Sequence, residues 1–253
     1  MLDYKPNIVL SSGEYNVIGS RPIRHDGADK VTGRAQYGVD VSLPGMLHGR
    51  ILRSPHAHAR IKSIDTSKAE AAPGVYAVVT SADWDQPTGK VEDLAEGAMH
   101  NLRFLSNNIL AHEKVVYKGH AVAAVAATNL HVAEQALALI DVEYEVLPVV
   151  LGFRDAMKDG ATLVHERLHT LSNPGLRAGG YKSDDDKSDG TNVANQFEFK
   201  LGDIEEGFKQ ADIIIEKETN TSPVHQGYIE PHTGTAQWQN DGSLTIWSST
   251  QGH

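Results

Sequence analysis

The chain of 253 residues contains no cysteine. That absence excludes disulfides, thiolate nucleophiles, cysteine zinc sites and iron–sulfur clusters held by this polypeptide. Any cluster-borne electron transfer must therefore use another chain. Long apolar runs are also missing. The longest lies around Ala121–Ala127, far short of the ~20 residues that cross a bilayer, so no membrane span is expected. Positive charge is in deficit: 23 Lys and Arg stand against 33 Asp and Glu, a net −10. A phosphate backbone repels such an excess, which disfavours broad nucleic-acid binding. There is no glycine-rich dinucleotide or phosphate loop and no Gly-x-Ser-x-Gly elbow of the hydrolase type. Met1-Leu2-Asp3-Tyr4-Lys5-Pro6 has no basic region followed by an apolar core, and the expected location is cytoplasmic.

What is present is ordinary globular composition, 40% apolar and 22% charged. Thirteen histidines are scattered along the chain. Residues 1–25 read as an irregular lead-in, and Arg24–Gly27 and Lys30–Gly33 as two turns. Leu47–Ser54, Ala59–Ile64 and Val75–Thr80 read as strands by alternation. Ser67 and Glu70 have capping-box spacing, and Pro73-Gly74 closes that short helix. Val115–Ala127 is apolar, broken only at Lys118-Gly119-His120, where His120 is expected at a tight turn. Thr128 is an expected N-cap. Val132, Ala133, Ala136, Leu137 and Ile140 then form one helical face, and Val142, Tyr144 and Val146 alternate as a strand. This strand–helix–strand sequence predicts a crossover unit on one sheet.

Residues 151–195 change character. Lys182–Asp189, Lys-Ser-Asp-Asp-Asp-Lys-Ser-Asp, reads as a solvated linker loop. Asp203 and Glu206 form a second cap with Ile204 and Phe208 on one helix face. Ala211–Thr221 reads as a strand. Thr233–Gln239, Asn240-Asp241-Gly242 and Ser243–Thr250 form the strongest hairpin signal. His56 and His58 would share a face on a strand, but no further ligand has metal-site spacing. They read as a fold motif, and no direct metal ligand is assigned.

Several stretches together resemble the molybdopterin-binding large subunit of the xanthine dehydrogenase and aldehyde oxidase family. They are Arg24–Tyr37 with Asp40; Arg53–Ile61 running into Ile64–Ala69 and Pro73-Gly74-Val75; Val116–Val125; Gly202–Phe208 with Ala211-Asp212; and Glu230-Pro231-His232 with Trp247–Gly252. The resemblance covers residues 21–253 and implies an α+β fold. Residues 1–25 are the lead-in, 26–150 an α/β hammerhead domain, 151–195 a linker with an acidic loop, and 196–253 the beginning of the first molybdopterin-binding domain. The family's subunit is several times longer, so the chain reads as an N-terminal piece of it.

The resemblance also implies an activity. The chain is part of the molybdenum-binding subunit of an oxidoreductase that hydroxylates an aldehyde or an N-heteroaromatic carbon with water-derived oxygen. The chain by itself is expected to be inactive, because the family's glutamate base falls in a region beyond residue 253. The implied cofactor is molybdenum-molybdopterin, the cytosine dinucleotide form being one option. Iron–sulfur clusters and FAD are implied on partner subunits, alongside the remaining molybdopterin-domain polypeptide and a small-molecule substrate. Gln251 falls on the family glutamine that hydrogen-bonds the metal's oxo ligand. A carboxamide NH2 donates without adding charge, and the Gly252 amide, lacking a side chain, can approach beside it. Glu230 matches a recurrent glutamate near the active site and is a candidate support. Its blander reading, which the residues favour, is a buried carboxylate fixing a loop by accepting backbone hydrogen bonds. Gln226 stands where many relatives have histidine, which leaves the substrate subclass open. The competing function is a non-catalytic hammerhead-like binding or scaffold module.

Overall fold

The structure is a computed structural model that describes residues 15–18, 20–87, 91–93, 99–168, 171–173, 190–197 and 201–250. In chain order its elements begin with α1 (Gly27–Thr32), β1 (His48–Arg53), β2 (Ala59–Asp65), α2 (Ser67–Glu70), β3 (Val75–Thr80), β4 (Val91–Asp93) and β5 (Met99–Asn101). Then come α3 (Leu102–Ile109), β6 (Lys114–Val115), β7 (Ala121–Ala127), α4 (Leu130–Leu137), β8 (Asp141–Val146) and α5 (Phe153–Ala156). The last are β9 (Leu171–Asn173), β10 (Asn195–Phe197), α6 (Ile204–Gln210), β11 (Gly234–Trp238) and β12 (Leu244–Ser248). Backbone contacts group residues 45–218 in one unit; the other contains the described residues of 1–44 and 219–253.

In the first unit, β7 is the central strand of an antiparallel sheet ordered β1-β7-β3. Its sequence, Ala-Val-Ala-Ala-Val-Ala-Ala, explains why both faces can be covered. Ala123, Val125 and Ala127 point one way and pack with Ala133, Ala136 and Ile140 on and after α4. Methyl groups on both elements let helix and sheet approach closely. Val122 points the other way and joins Ala59, Ala111 and Val115 in a second cluster. That cluster lies on a second antiparallel sheet, ordered β6-β2-β8. The residues at 118–120 separate the two sheets. Gly119 takes φ 91°, which a side chain would strain, so β6 and β7 leave the turn into different sheets.

Several local expectations shift. The strand–helix–strand segment is no single-sheet crossover. Strand β7 belongs to one sheet, and β8 pairs antiparallel with β2 in the other. Ile64 and Val142 pack against both clusters, so burying β8 there joins the two cores. The N-cap of α4 is Asn129 and not Thr128: Asn129 Oδ1 accepts from Val132 N at 3.0 Å. The Ser67/Glu70 box is displaced by one residue. Thr66 takes the N-cap position and its hydroxyl donates to Glu70 at 2.6 Å, while Asp65 accepts from Ser67 N at 3.0 Å. Of the two early turns, Arg24–Gly27 leads into a helix, α1, but Lys30–Gly33 is corrected: Lys30–Thr32 are the last turn of that helix, which Gly33 ends at φ 76°.

The second cap is as expected: Asp203 Oδ1 accepts from Glu206 N at 3.0 Å. Residues 211–221, expected as a strand, form no ladder among the described residues. Alternation supplies a strand's pattern but not its neighbour. The terminal hairpin is present, with β11 and β12 in antiparallel register from Gly234↔Ser248 to Trp238↔Leu244. The Lys182–Asp189 loop lies outside the described residues.

Candidate functional site

The base of the hairpin carries the described part of the site. Strand β12 ends at Ser248, two residues before the last described residue. Ser249 ties this end to the chain entering β11. Its Oγ accepts from Thr233 N at 2.7 Å and donates to the Pro231 carbonyl at 3.1 Å. Ser249 N donates to Thr233 O at 3.1 Å. His232 Nδ1 lies 2.9 Å from the Ser249 carbonyl. A carbonyl only accepts, so Nδ1 is the donor in this contact. Gly38 packs against the same place: a Cβ on it would stand 2.5 Å from Thr233 Oγ1. Tyr228 lies between two imidazoles, 5.4 Å from His225 and 4.7 Å from His232.

Glu230 lies on the strap leading into this latch and is exposed. The favoured reading of it as a buried, loop-fixing carboxylate is therefore corrected. Residues 201–232 are exposed throughout. Gln251 and Gly252 lie outside the described residues. The latch that precedes them escapes sequence reasoning, because a serine, a threonine and a glycine far apart in the chain carry no spacing signal. The one legible hint is His232 following Glu230-Pro231.

The other expected histidines take structural places. His58 precedes β2 and is buried, with Nδ1 donating to the Pro148 carbonyl at 2.7 Å. His56 lies edge-on to Tyr144, with ring centroids 5.0 Å apart. The two do not share a strand face, since residues 54–58 are not in a strand. His120 is fully buried. Its Nε2 donates to Asn107 O at 2.7 Å, and its Nδ1 accepts from Val116 N at 3.2 Å. Tyr117 stacks on it at 4.4 Å. Burial holds its pKa below 6.5, outweighing the opposing bond to Asn107. A neutral imidazole thus clamps the α3 chain to the end of β6.

Lys114 has no sequence signal beyond being a polar residue at the edge of an apolar run. It is buried, and its Nζ donates to Glu166 Oε1 at 2.8 Å. Burial pushes the Glu166 carboxyl upward, but the bond from Lys114, a backbone bond and the charges of Lys114 and Arg60 outweigh it, so the pKa is lowered. Next to it, burial first and the Lys114 charge second keep His165 below its ordinary value. Among the described residues no group of three or more histidine or carboxylate side chains could hold a metal ion, and no helix is long and apolar enough to cross a membrane.

Comparison with known proteins adds the family. Residues 32–148 match the model of the aldehyde oxidase and xanthine dehydrogenase a/b hammerhead domain, and residues 186–253 that of a molybdopterin cofactor-binding domain. A subunit of a probable xanthine dehydrogenase from Bacillus subtilis is 35% identical over 229 residues, covering 90% of this chain and 26% of that protein. The carbon monoxide dehydrogenase large chain of Afipia carboxidovorans is 35% identical over 231 residues, covering 87% of this chain and 25% of its own. The crystal structure of quinoline 2-oxidoreductase from Pseudomonas putida 86 superposes with a TM-score of 0.70 at 29% identity, over 92% of this chain and 27% of that one. The chain thus spans about a quarter of the length of these relatives. It resembles the molybdopterin-binding large subunits of the xanthine dehydrogenase and aldehyde oxidase family, residues 32–148 matching the hammerhead domain and residues 186–253 the molybdopterin cofactor-binding domain.

Proposed function

We propose that this chain serves as part of the molybdenum-binding subunit of a hydroxylase acting on an aldehyde or an N-heteroaromatic carbon. The observation that carries the reading is the hammerhead match followed, in the same chain, by a molybdopterin-domain match. When bound, the molybdenum-pterin group supplies the redox chemistry and the oxygen transfer. The residues proposed to hold it are Gln251 and Gly252, and their donor chemistry suits it. A carboxamide NH2 and an unhindered backbone amide both donate to an oxo group without bringing charge. Glu230 is proposed as a solvent-facing support on the strap before the latch, and not as the base. The Thr233–Ser249 latch would fix the direction in which the chain leaves β12 towards Gln251.

The division into a lead-in at 1–25, a hammerhead domain at 26–150, a linker at 151–195 and a molybdopterin-domain start at 196–253 belongs to the same reading. So do the cytosine dinucleotide form, iron–sulfur and FAD subunits, a further molybdopterin-domain polypeptide and a cytoplasmic location. The missing cysteines support the partner clusters, since this chain offers no ligand for them.

The test is the native complex, purified through this chain and analysed for molybdenum, iron and flavin. Turnover in isotopically labelled water is expected to place the label in the hydroxylated product. A complex without molybdenum, or a product oxygen drawn from dioxygen, would overturn the reading. The 253-residue chain alone is expected to bind no molybdenum and to be inactive.

A further inference from the structure

Between α3, β6 and the segment around His165 lies a cavity of about 260 Å³. Its walls are firmly built. Asn192 holds the 156–164 turn by accepting from Val164 N at 2.9 Å and donating to the carbonyls of Ala156 and Thr162, both at 3.0 Å. Gly190 packs on the Glu166 backbone so closely that a Cβ there would overlap it. Thr191 N donates to Leu168 O at 2.8 Å. The rim carrying His165, Glu166 and Arg167 is thereby fixed to a second stretch of chain.

The lining is unusual for so acidic a protein. Arg103, Lys114 and Arg167 face Glu113 and Glu166 around it, a permanent charge of 3 − 2 = +1 in a chain of net −10. The Lys114 side chain is only 9% exposed, whereas that of its partner Glu166 is 60% exposed. An ammonium has three donors, and the one bond described for Lys114 Nζ goes to this rim carboxylate. On the other wall Phe104 and His165 meet with ring centroids 4.7 Å apart, tilted by 56°. At about 30 Å³ per water, the space holds about nine non-hydrogen atoms.

We propose that this cavity binds a small aromatic carboxylate, its carboxylate received by Lys114 and Arg167 and its ring lying against Phe104 and His165. A single ring bearing one carboxyl group has the size of the space. One negative charge matches the lining. A phosphate dianion would exceed that charge. The proposal does not rest on the molybdenum reading, so its ligand binding stands or falls separately from it.

The experiment titrates benzoate, acetate and inorganic phosphate into the 253-residue chain while the histidine ring protons are followed by NMR. Benzoate is expected to move the His165 signals saturably, with acetate and phosphate at least about tenfold weaker. Lys114→Met is expected to weaken benzoate about tenfold, the scale of a lost bond between charged groups. Because Lys114 is buried, Arg167→Gln at an exposed position gives a second reading without touching the core, and is also expected to weaken binding. No saturable shift with benzoate, phosphate binding as tightly as benzoate, or undiminished binding in Arg167→Gln would each overturn the proposal.

Discussion

Residues 48–146 and residues 201–250 are both patterned with apolar side chains, yet they solve the burial problem differently. The first region closes two clusters, with Ala59, Ala123, Val122 and Ala133 at 0% exposure. In the second no residue is buried. Ile213 is 79% exposed, Ile215 84%, Trp238 71% and Ile246 60%. The difference is in neighbours and not in hydrophobicity. Strand β7 has a strand on each side and a helix on one face, whereas among the described residues β11 and β12 have no strand neighbour but each other. A lone two-stranded hairpin is marginal in water, so the second region offers apolar faces that a larger sheet would cover.

Breaking the closed core gives the largest expected effect. Val125→Asp places a carboxylate at the centre of the β7–α4 packing. It is expected to cost more than about 4 kcal/mol, enough to abolish cooperative unfolding of residues 48–146. The same change at exposed Ile215 is expected to stay within about 0.5 kcal/mol. Chemical denaturation followed by circular dichroism checks both. Comparable losses at the two sites would remove the contrast.

His120→Ala comes next. It leaves the Asn107 carbonyl and the Val116 amide without their partner and opens a void beside Tyr117. The expected loss is about 3 kcal/mol, read as a lowered urea midpoint. The wild-type midpoint also carries a pH signature. His120 and His165 are held below 6.5 in the folded chain and titrate near 6.5 when unfolded. Above that pH both states are neutral and the contribution is complete. As the pH falls below it, the unfolded chain takes up protons first and stability declines. Midpoints measured between neutrality and mild acidity should fall in the wild type and fall less in His120→Gln.

The smallest effect is expected at Asp203. Asp203→Ala removes the acceptor for Glu206 N and should cost α6 about 1 kcal/mol. Because no residue of α6 is buried, this loss should appear as local fraying in amide exchange and leave the urea midpoint unchanged. A shift in global midpoint would mean that α6 packs on the core after all.

Much of the fold was legible in the residues. Val75–Thr80 matched strand β3 end for end, and Asn240-Asp241-Gly242 located the hairpin, because tight turns and alternating faces are local properties. The Asp203 cap is local in the same sense. Thr128 and Asn129 could not be ranked from sequence, since both are capping residues and only the path leaving β7 decided which side chain reached Val132. The candidate site was less legible. Gln251, Gly252 and Glu230 rest on resemblance, while the Gly38–Thr233–Ser249 contact joins positions about 200 residues apart and leaves no periodic trace.

By itself, the sequence determined which segments alternate, where glycine must turn and which redox ligands are impossible without cysteine. Tertiary structure alone decided that β7 and β8 enter different sheets, that His120 is a buried clamp, and that Lys114 sits inside a cavity. The reason is physical. Backbone preference and side-chain period act over a few residues, whereas burial depends on what another part of the chain brings alongside. Ile215 and Val125 carry similar apolar side chains, and only the presence of α4 above one of them makes it core.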